Sequence, residues 1–283
     1  MKPLIVDYLV IGAGTSGCVV AGGLASSGDR SVLVLEAGGA GAALRTRVPV
    51  AAKWQGSTYN VEAGPISGLC HLWRYIRHRQ GPFASPHAQL LAHVRSTPAA
   101  ARPDVQIAFY PYAFERTPSG VKRARTPAVM FTVMASQGRG RGEIMLNSAD
   151  PLAPPGIRHA LLADDVDRQT LIAGCRLVHR IASSAPLASE IRSWIEIDPG
   201  KASDADWGRY LSAEAGLAYH AAGTCRMGDQ GSAVVDAALR VRGIAGLRVA
   251  DNSIMPTPVS GNSQAAAYVI GAKAAALILA EAA

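Results

Sequence analysis

Residues 7–39 read DYLVIGAGTSGCVVAGGLASSGDRSVLVLEAGG, and the succession of residue types along this stretch decides the fold. Tyr8 to Ile11 is a short apolar run of the kind a buried strand requires. Glycines follow at Gly12, Gly14 and Gly17, and a small-residue stretch to about Ser26 reads as a helix. Val32 to Leu35 is a second apolar run, so the order is strand, helix, strand. The Gly-x-Gly-x-x-Gly spacing has a physical reason: glycine permits the tight turn out of the strand, lets a pyrophosphate approach the backbone, and lets the helix pack closely on the strand. Glu36 closes the second strand, where an acidic side chain accepts hydrogen bonds from both hydroxyls of an adenosine ribose. No arginine follows it directly to meet a 2′-phosphate. The stretch reads as a dinucleotide-binding β-α-β unit, the alternative being a tight strand-to-helix turn that holds no ligand.

The chain has 283 residues, 49% of them hydrophobic and 17% charged, with 29 glycines. That composition fits a globular α/β protein and excludes a largely disordered or fibrous one. A net charge of +7 raises the question of nucleic acid, and Arg74, Arg77, His78 and Arg79 cluster in WRYIRHRQ (73–80). No nucleic-acid motif frames the cluster and an anionic cofactor accounts for positive charge equally well, so no nucleic-acid partner is expected. Cys18, Cys70, Cys175 and Cys225 are far apart and form no Cys-x-x-Cys pair. His71, His78, His87, His93, His159 and His179 show no ligand spacing, so neither a disulfide framework nor a metal site is expected. The chain reads as cytoplasmic: its first apolar run leads straight into the glycine motif and not into a cleavage site. The closing AAAYVIGAKAAALILAEAA (265–283) is apolar, but Lys273 and the many alanines favour a buried helix over a membrane span.

Between these ends, residues 37–65 read as irregular, with Pro49, Gly56, Gly64 and Pro65 as breakers. A helix is expected at 68–79. Residues 103–114, 128–136 and 142–148 have the pattern of strands in a mainly antiparallel sheet, with QGRGRG (137–142) as a hairpin connection and DPLAPPGI (150–157) as a proline-rich crossing. Helical periodicity marks 164–183 and 204–215, a short strand 247–250, and a last helix starting near Ser263. The sheet-rich middle therefore reads as a second domain inserted into a nucleotide domain.

Six segments together, DYLVIGAGTSGCVVAGGLA (7–25), VLVLEAGG (32–39), SADPLAPPGI (148–157), YHAAGTCRMG (219–228), LRVADNSIMP (247–256) and SGNSQAAAYVIGAKAA (260–275), resemble the glucose-methanol-choline (GMC) oxidoreductases. The resemblance implies FAD as cofactor, a small-molecule alcohol as substrate, and an α/β fold class. Residues 1–65 and 217–283 would form a reduced Rossmann-like FAD-binding domain, and 66–216 an inserted antiparallel-sheet α+β substrate-binding domain. In that family the histidine before Gly-Thr-Cys-Arg-Met-Gly is the active-site base, which maps to His220, and the second catalytic position maps to Asn262. The pairing suits the chemistry. Alcohol oxidation removes a hydroxyl proton and a carbon-bound hydride; neutral imidazole takes the proton near neutral pH, and Asn262 can hold the substrate oxygen.

Cofactor contacts are expected at Gly12, Gly14, Thr15, Ser16, Gly17, Glu36 and Ala37 in the first segment, and at Asp251, Asn252, Ser263 and Gln264 near the end. The local alternatives are an Asx turn for Asp251 and helix capping for Ser263 and Gln264. Cys225 and Arg226 are expected to fix a turn. Members of the family are longer, and the shortfall falls around residues 59–66, where a Gly-Gly-Ser-containing loop that lies against the flavin is missing. Two other readings follow from that gap and from the breadth of the family: a catalytically impaired nucleotide-binding remnant, and a non-redox member such as a lyase or photodecarboxylase. An oligomer is compatible with the sequence.

Overall fold

The computed structural model describes residues 5–28, 30–36, 48–56, 58–62, 64–117, 120–150, 152–218, 220–229 and 231–282. In chain order the elements are β1 (Tyr8–Ile11), α1 (Thr15–Ala25), β2 (Val32–Leu35), β3 (Val48–Trp54), α2 (Tyr59–Glu62), α3 (Pro65–His78), β4 (Leu90–Val94), β5 (Val105–Tyr110), β6 (Phe114–Thr117), β7 (Gly120–Arg123), β8 (Ala128–Ala135), β9 (Glu143–Met145), β10 (Gly156–Arg158), α4 (Asp165–Ala182), α5 (Leu187–Glu190), β11 (Ile191–Ile195), α6 (Asp204–Glu214) and α7 (Gln264–Glu281). They gather into two units, one of residues 1–45, 142–159 and 218–283, the other of 46–141 and 160–217.

In the first unit β1 and β2 pair in parallel from Tyr8–Val32 to Ile11–Leu35. Gly12, at φ +98°, turns the chain out of β1 while its N–H donates to Leu35 O at 2.7 Å. Helix α1 then runs back and packs against α7. Their close approach depends on small residues: a Cβ on Gly23 would lie 2.7 Å from Ala275 Cβ, and one on Gly271 would lie 2.7 Å from Ser16 O. Val20 and Leu24 of α1 join Ala274 of α7, Val235, Leu239 and Ile254 in the core of this unit. Residues 226–250 are turn-rich and stitched by bridges at Met227–Val235, Val235–Val241 and Arg240–Arg248. The strand expected at 247–250 is reduced to that last bridge, because Gly243 and Gly246, at φ +81° and +76°, keep the chain turning. Strand β9 pairs with β10, not with β8. QGRGRG is thus a connection and no hairpin, and the end of DPLAPPGI enters a strand in place of the expected crossing.

The second unit is built on a five-stranded antiparallel sheet in the order β11-β3-β8-β5-β4. Both faces are covered, so its central strand β8 is apolar at nearly every position. Val129, Phe131 and Val133 point to one face, where Leu171, Ile172, Cys175 and Val178 of α4 meet them; Ala128 and Met130 point to the other, with Ala51, Ala108 and Tyr110. Asp164 caps α4 by accepting the N–H of Val166 at 2.8 Å, and Gly174 lets the helix sit close on the sheet, since a Cβ there would lie 2.5 Å from Val133 Cγ1. Strand β3 falls inside the stretch that reads as irregular. Pro49 is tolerated near the start of the strand, where its carbonyl accepts the Tyr210 hydroxyl at 2.7 Å. Because β3 lies between β11 and β8, residues from 46 onward join the sheet unit, not the first unit as a boundary at 65 would have it, and 142–159 join the first.

Candidate active site

The glycine loop has the geometry its spacing demands. Gly14 stands at the N-cap of α1 with extended backbone and no side-chain cap on the helix amides, and a Cβ on it would meet nothing within 4 Å. A Cβ on Gly17 would instead collide with the Gly12 carbonyl oxygen. Glu36 reaches back over the loop: one carboxylate oxygen accepts the Ala13 N–H at 2.5 Å. Thr15 is half-buried in the first turn of α1, whereas Ser16 is buried. The Ser16 hydroxyl donates to Ala267 O of α7 at 2.9 Å, so its side chain joins two helices and only its backbone faces the cradle's role. Ala37 lies outside the described residues.

A second constellation forms where α7 begins. The segment after His220 is sewn to residues 253–254 by Cys225 N–H to Ser253 O at 3.0 Å and Met227 N–H to Ile254 O at 2.7 Å. Gly223, at φ +87°, makes the turn against Met255 O, and the Arg226 carbonyl accepts the Val234 N–H at 3.0 Å. His220 is thereby held so that Nδ1 lies 3.0 Å from Ser263 Oγ. Asn252 donates from Nδ2 to that same oxygen at 3.1 Å. Ser263 is 4% exposed. The Oδ1 atoms of Asn252 and Asn262 are buried without a hydrogen-bond partner among the described residues. A buried acceptor left open is costly, about 1–3 kcal/mol, and calls for a ligand or water.

An Asx turn forms at Asp251. Its carboxylate accepts the Ser253 N–H at 2.8 Å and the Ser253 hydroxyl at 2.5 Å. Gln264 is exposed at the first position of α7. The structure thus brings His220, Asn252 and Ser263 into one hydrogen-bonded group, with Asn262 as the residue before Ser263. It gives Ser16 and Asp251 structural side-chain tasks. The contact of Ser263 with His220 was not legible in sequence: the two lie 43 residues apart, and serine at a helix start announces a cap. Among the described residues no group of histidine, cysteine, aspartate and glutamate could hold a metal ion.

A glycine loop on a β-α-β unit and a histidine held by the N-cap serine of a second helix define a class, an α/β protein with the strand-to-helix turn that suits a dinucleotide. A family model described as GMC oxidoreductase matches residues 138–271. An uncharacterized GMC-type oxidoreductase of Mycobacterium tuberculosis (strain ATCC 25618 / H37Rv) is 38% identical over 213 residues, which are 72% of this chain and 39% of the relative. An alcohol dehydrogenase (acceptor) of Pseudomonas putida is 34% identical over 212 residues, 75% of this chain and 38% of that one. The formate oxidase structure from Aspergillus oryzae RIB40 superposes with a TM-score of 0.71 at 23% identity, covering 84% of this chain and 46% of the oxidase, a likeness of fold. The chain belongs to the GMC oxidoreductase family, as its six motifs suggest. It spans about two fifths of the length of the curated relatives it matches, 39% and 38% for the two named above.

FAD is the cofactor of this family, and the residues present fit it. Uncapped amides and open space at Gly14 suit a pyrophosphate, Glu36 stands at the loop as a ribose partner must, and the open Oδ1 of Asn262 is an unfilled polar position next to the His220 group.

Proposed function

We propose that this chain binds FAD and oxidises an alcohol at its CH–OH carbon, with His220 as the proton acceptor. The unit carrying β1, α1 and α7 is then a reduced, Rossmann-like FAD-binding part, and the five-stranded sheet unit is the substrate-binding part. Gly12, Gly14 and Gly17 shape the loop that receives the pyrophosphate, backbone amides of Thr15 and Ser16 face it, and Glu36 leaves the Ala13 amide to accept the ribose hydroxyls. His220 Nε2 takes the substrate's hydroxyl proton: the O–H bond breaks, an N–H bond forms, and the ring becomes imidazolium. Asn262 holds the same oxygen with its amide as negative charge grows there. FAD, when bound, supplies the acceptor for the hydride that leaves the carbon. The single observation that carries this reading is the ring of His220 fixed 3.0 Å from Ser263 Oγ.

The test is to purify the chain, record the visible flavin bands with and without added FAD, and add a panel of primary alcohols without oxygen. Bleaching in the wild type, slowed about 100-fold or more in His220→Ala with flavin binding retained, is the expected result. A specific observation favours a second reading, a nucleotide-binding remnant that does not turn over. The parallel sheet has two strands among the described residues, and Leu9 and Ile11 on one side of β1 are 53% and 78% exposed. Flavin binding with no bleaching by any alcohol selects that reading, and no flavin binding sinks the first.

A further inference from the structure

Ser263 occupies the N-cap position of α7, yet its side chain makes no cap hydrogen bond to the helix. A serine normally earns that position by accepting an N–H of the first turn. Here the hydroxyl is turned to the His220 ring, 3.0 Å from Nδ1, and Asn252 Nδ2 donates to it at 3.1 Å. The Ser263 backbone N–H lies farther from the same ring nitrogen, at 3.4 Å. Two partners therefore compete for Nδ1, and they ask for different tautomers. The backbone N–H only donates, so alone it keeps Nδ1 bare and puts the ring proton on Nε2. The hydroxyl also accepts. With Nδ1–H donating to Ser263 Oγ, whose other lone pair takes Asn252 Nδ2–H, the bare nitrogen is Nε2.

We infer that Ser263 is the positioning residue of His220: its hydroxyl, steadied by Asn252, holds the ring through Nδ1–H and presents a bare Nε2 to the substrate. This rests on His220 acting as proton acceptor. A base needs its lone pair on the reacting nitrogen, and the tautomer is set by the partner of the other one. When Nε2 takes the proton, Nδ1–H stays on Ser263 Oγ, so the imidazolium keeps the same hydrogen bond and the ring does not have to move. Ser263 and Asn252 thus act through the histidine and not through the cofactor.

The experiment is to measure the ring nitrogen shifts of His220 in uniformly ¹⁵N-labelled full-length chain, with FAD affinity and alcohol turnover measured alongside, for the wild type, Ser263→Ala and Ser263→Thr. The wild type is expected to carry its proton on Nδ1. Ser263→Ala removes the hydroxyl and keeps the Ser263 backbone N–H at Nδ1, and is expected to move the proton to Nε2, to slow turnover by at least tenfold and to change FAD affinity by less than threefold. Threonine keeps the hydroxyl and is expected to restore both shifts and rate. Wild-type protein with the proton on Nε2 overturns the inference. So does Ser263→Ala with unchanged ring shifts, and a loss of FAD binding at unchanged shifts assigns Ser263 to the cofactor instead. The tautomer is read without turnover, so a chain that oxidises no alcohol defeats the proposed function and leaves this result standing.

Discussion

At Gly17 a methyl group would run into the Gly12 carbonyl oxygen, whereas at Gly14 it would meet nothing within 4 Å. The two glycines therefore have separate reasons to be glycine. Gly17→Ala is expected to displace the strand-to-helix turn and lower stability by about 1–3 kcal/mol, as overpacking does. Gly14→Ala places its methyl in open space on a backbone with ordinary φ of −68° and is expected to leave the melting temperature nearly unchanged. If the loop receives a pyrophosphate, that same methyl weakens FAD binding. Thermal melts paired with flavin titrations separate the two, and equal loss of stability in both variants would refute the distinction. This contrast also shows what sequence reading reaches at the scale of a residue. The glycine loop was legible because its sterics are local. The task of Ser16 was not, because its hydroxyl is taken by Ala267, 251 residues away.

Among the elements, α4 and α6 were legible from helical periodicity over 164–183 and 204–215. Strand β3 was hidden by Pro49, and β4, exposed at most of its positions on the sheet edge, lacks the alternation that announces a strand. The seat of α4 is testable. A Cβ on Gly174 would press on Val133 and Val105 at 2.5 and 3.0 Å, both fully buried in the sheet, so Gly174→Ala is expected to cost about 1–3 kcal/mol and to leave flavin binding intact. Helix α6 offers a pH-dependent counterpart. Ser203 and Asp206 form a reciprocal capping box, and hydrogen bonds from the Ser203 hydroxyl and then its backbone N–H hold the Asp206 carboxyl below its ordinary value of 3.8. A folded pKa lowered in this way contributes stability at pH above 3.8 that fades as pH falls through the lowered value. The melting-temperature gap between Ser203→Ala and the wild type should therefore be widest at pH well above 3.8 and narrow as pH falls below it; a constant gap would show that the carboxylate takes no part.

Over the whole molecule the feature that sequence periodicity alone does not settle is what remains uncovered. Helix α3 carries Ile66, Leu69, Leu72, Trp73 and Ile76 at helical spacing along one stripe, and none of its residues is buried; Ile66 is 81% exposed and Trp73 65%. Leu69, Cys70, Trp73, Arg74, His78 and Gln80 line a shallow hollow there. A contiguous apolar patch of this sort is rare on a monomer that stands alone. Its exposure has a measurable consequence because the stripe contributes little to the core. Trp73→Glu with Ile76→Glu removes apolar surface from solvent contact and buries no charge, so the double variant is expected to keep the wild-type melting temperature. Binding of a hydrophobic fluorescent dye at pH 7, and any concentration-dependent growth in sedimentation, should both drop. A fall in melting temperature of several degrees would mean instead that α3 is packed in solution, and that the stripe belongs to a core.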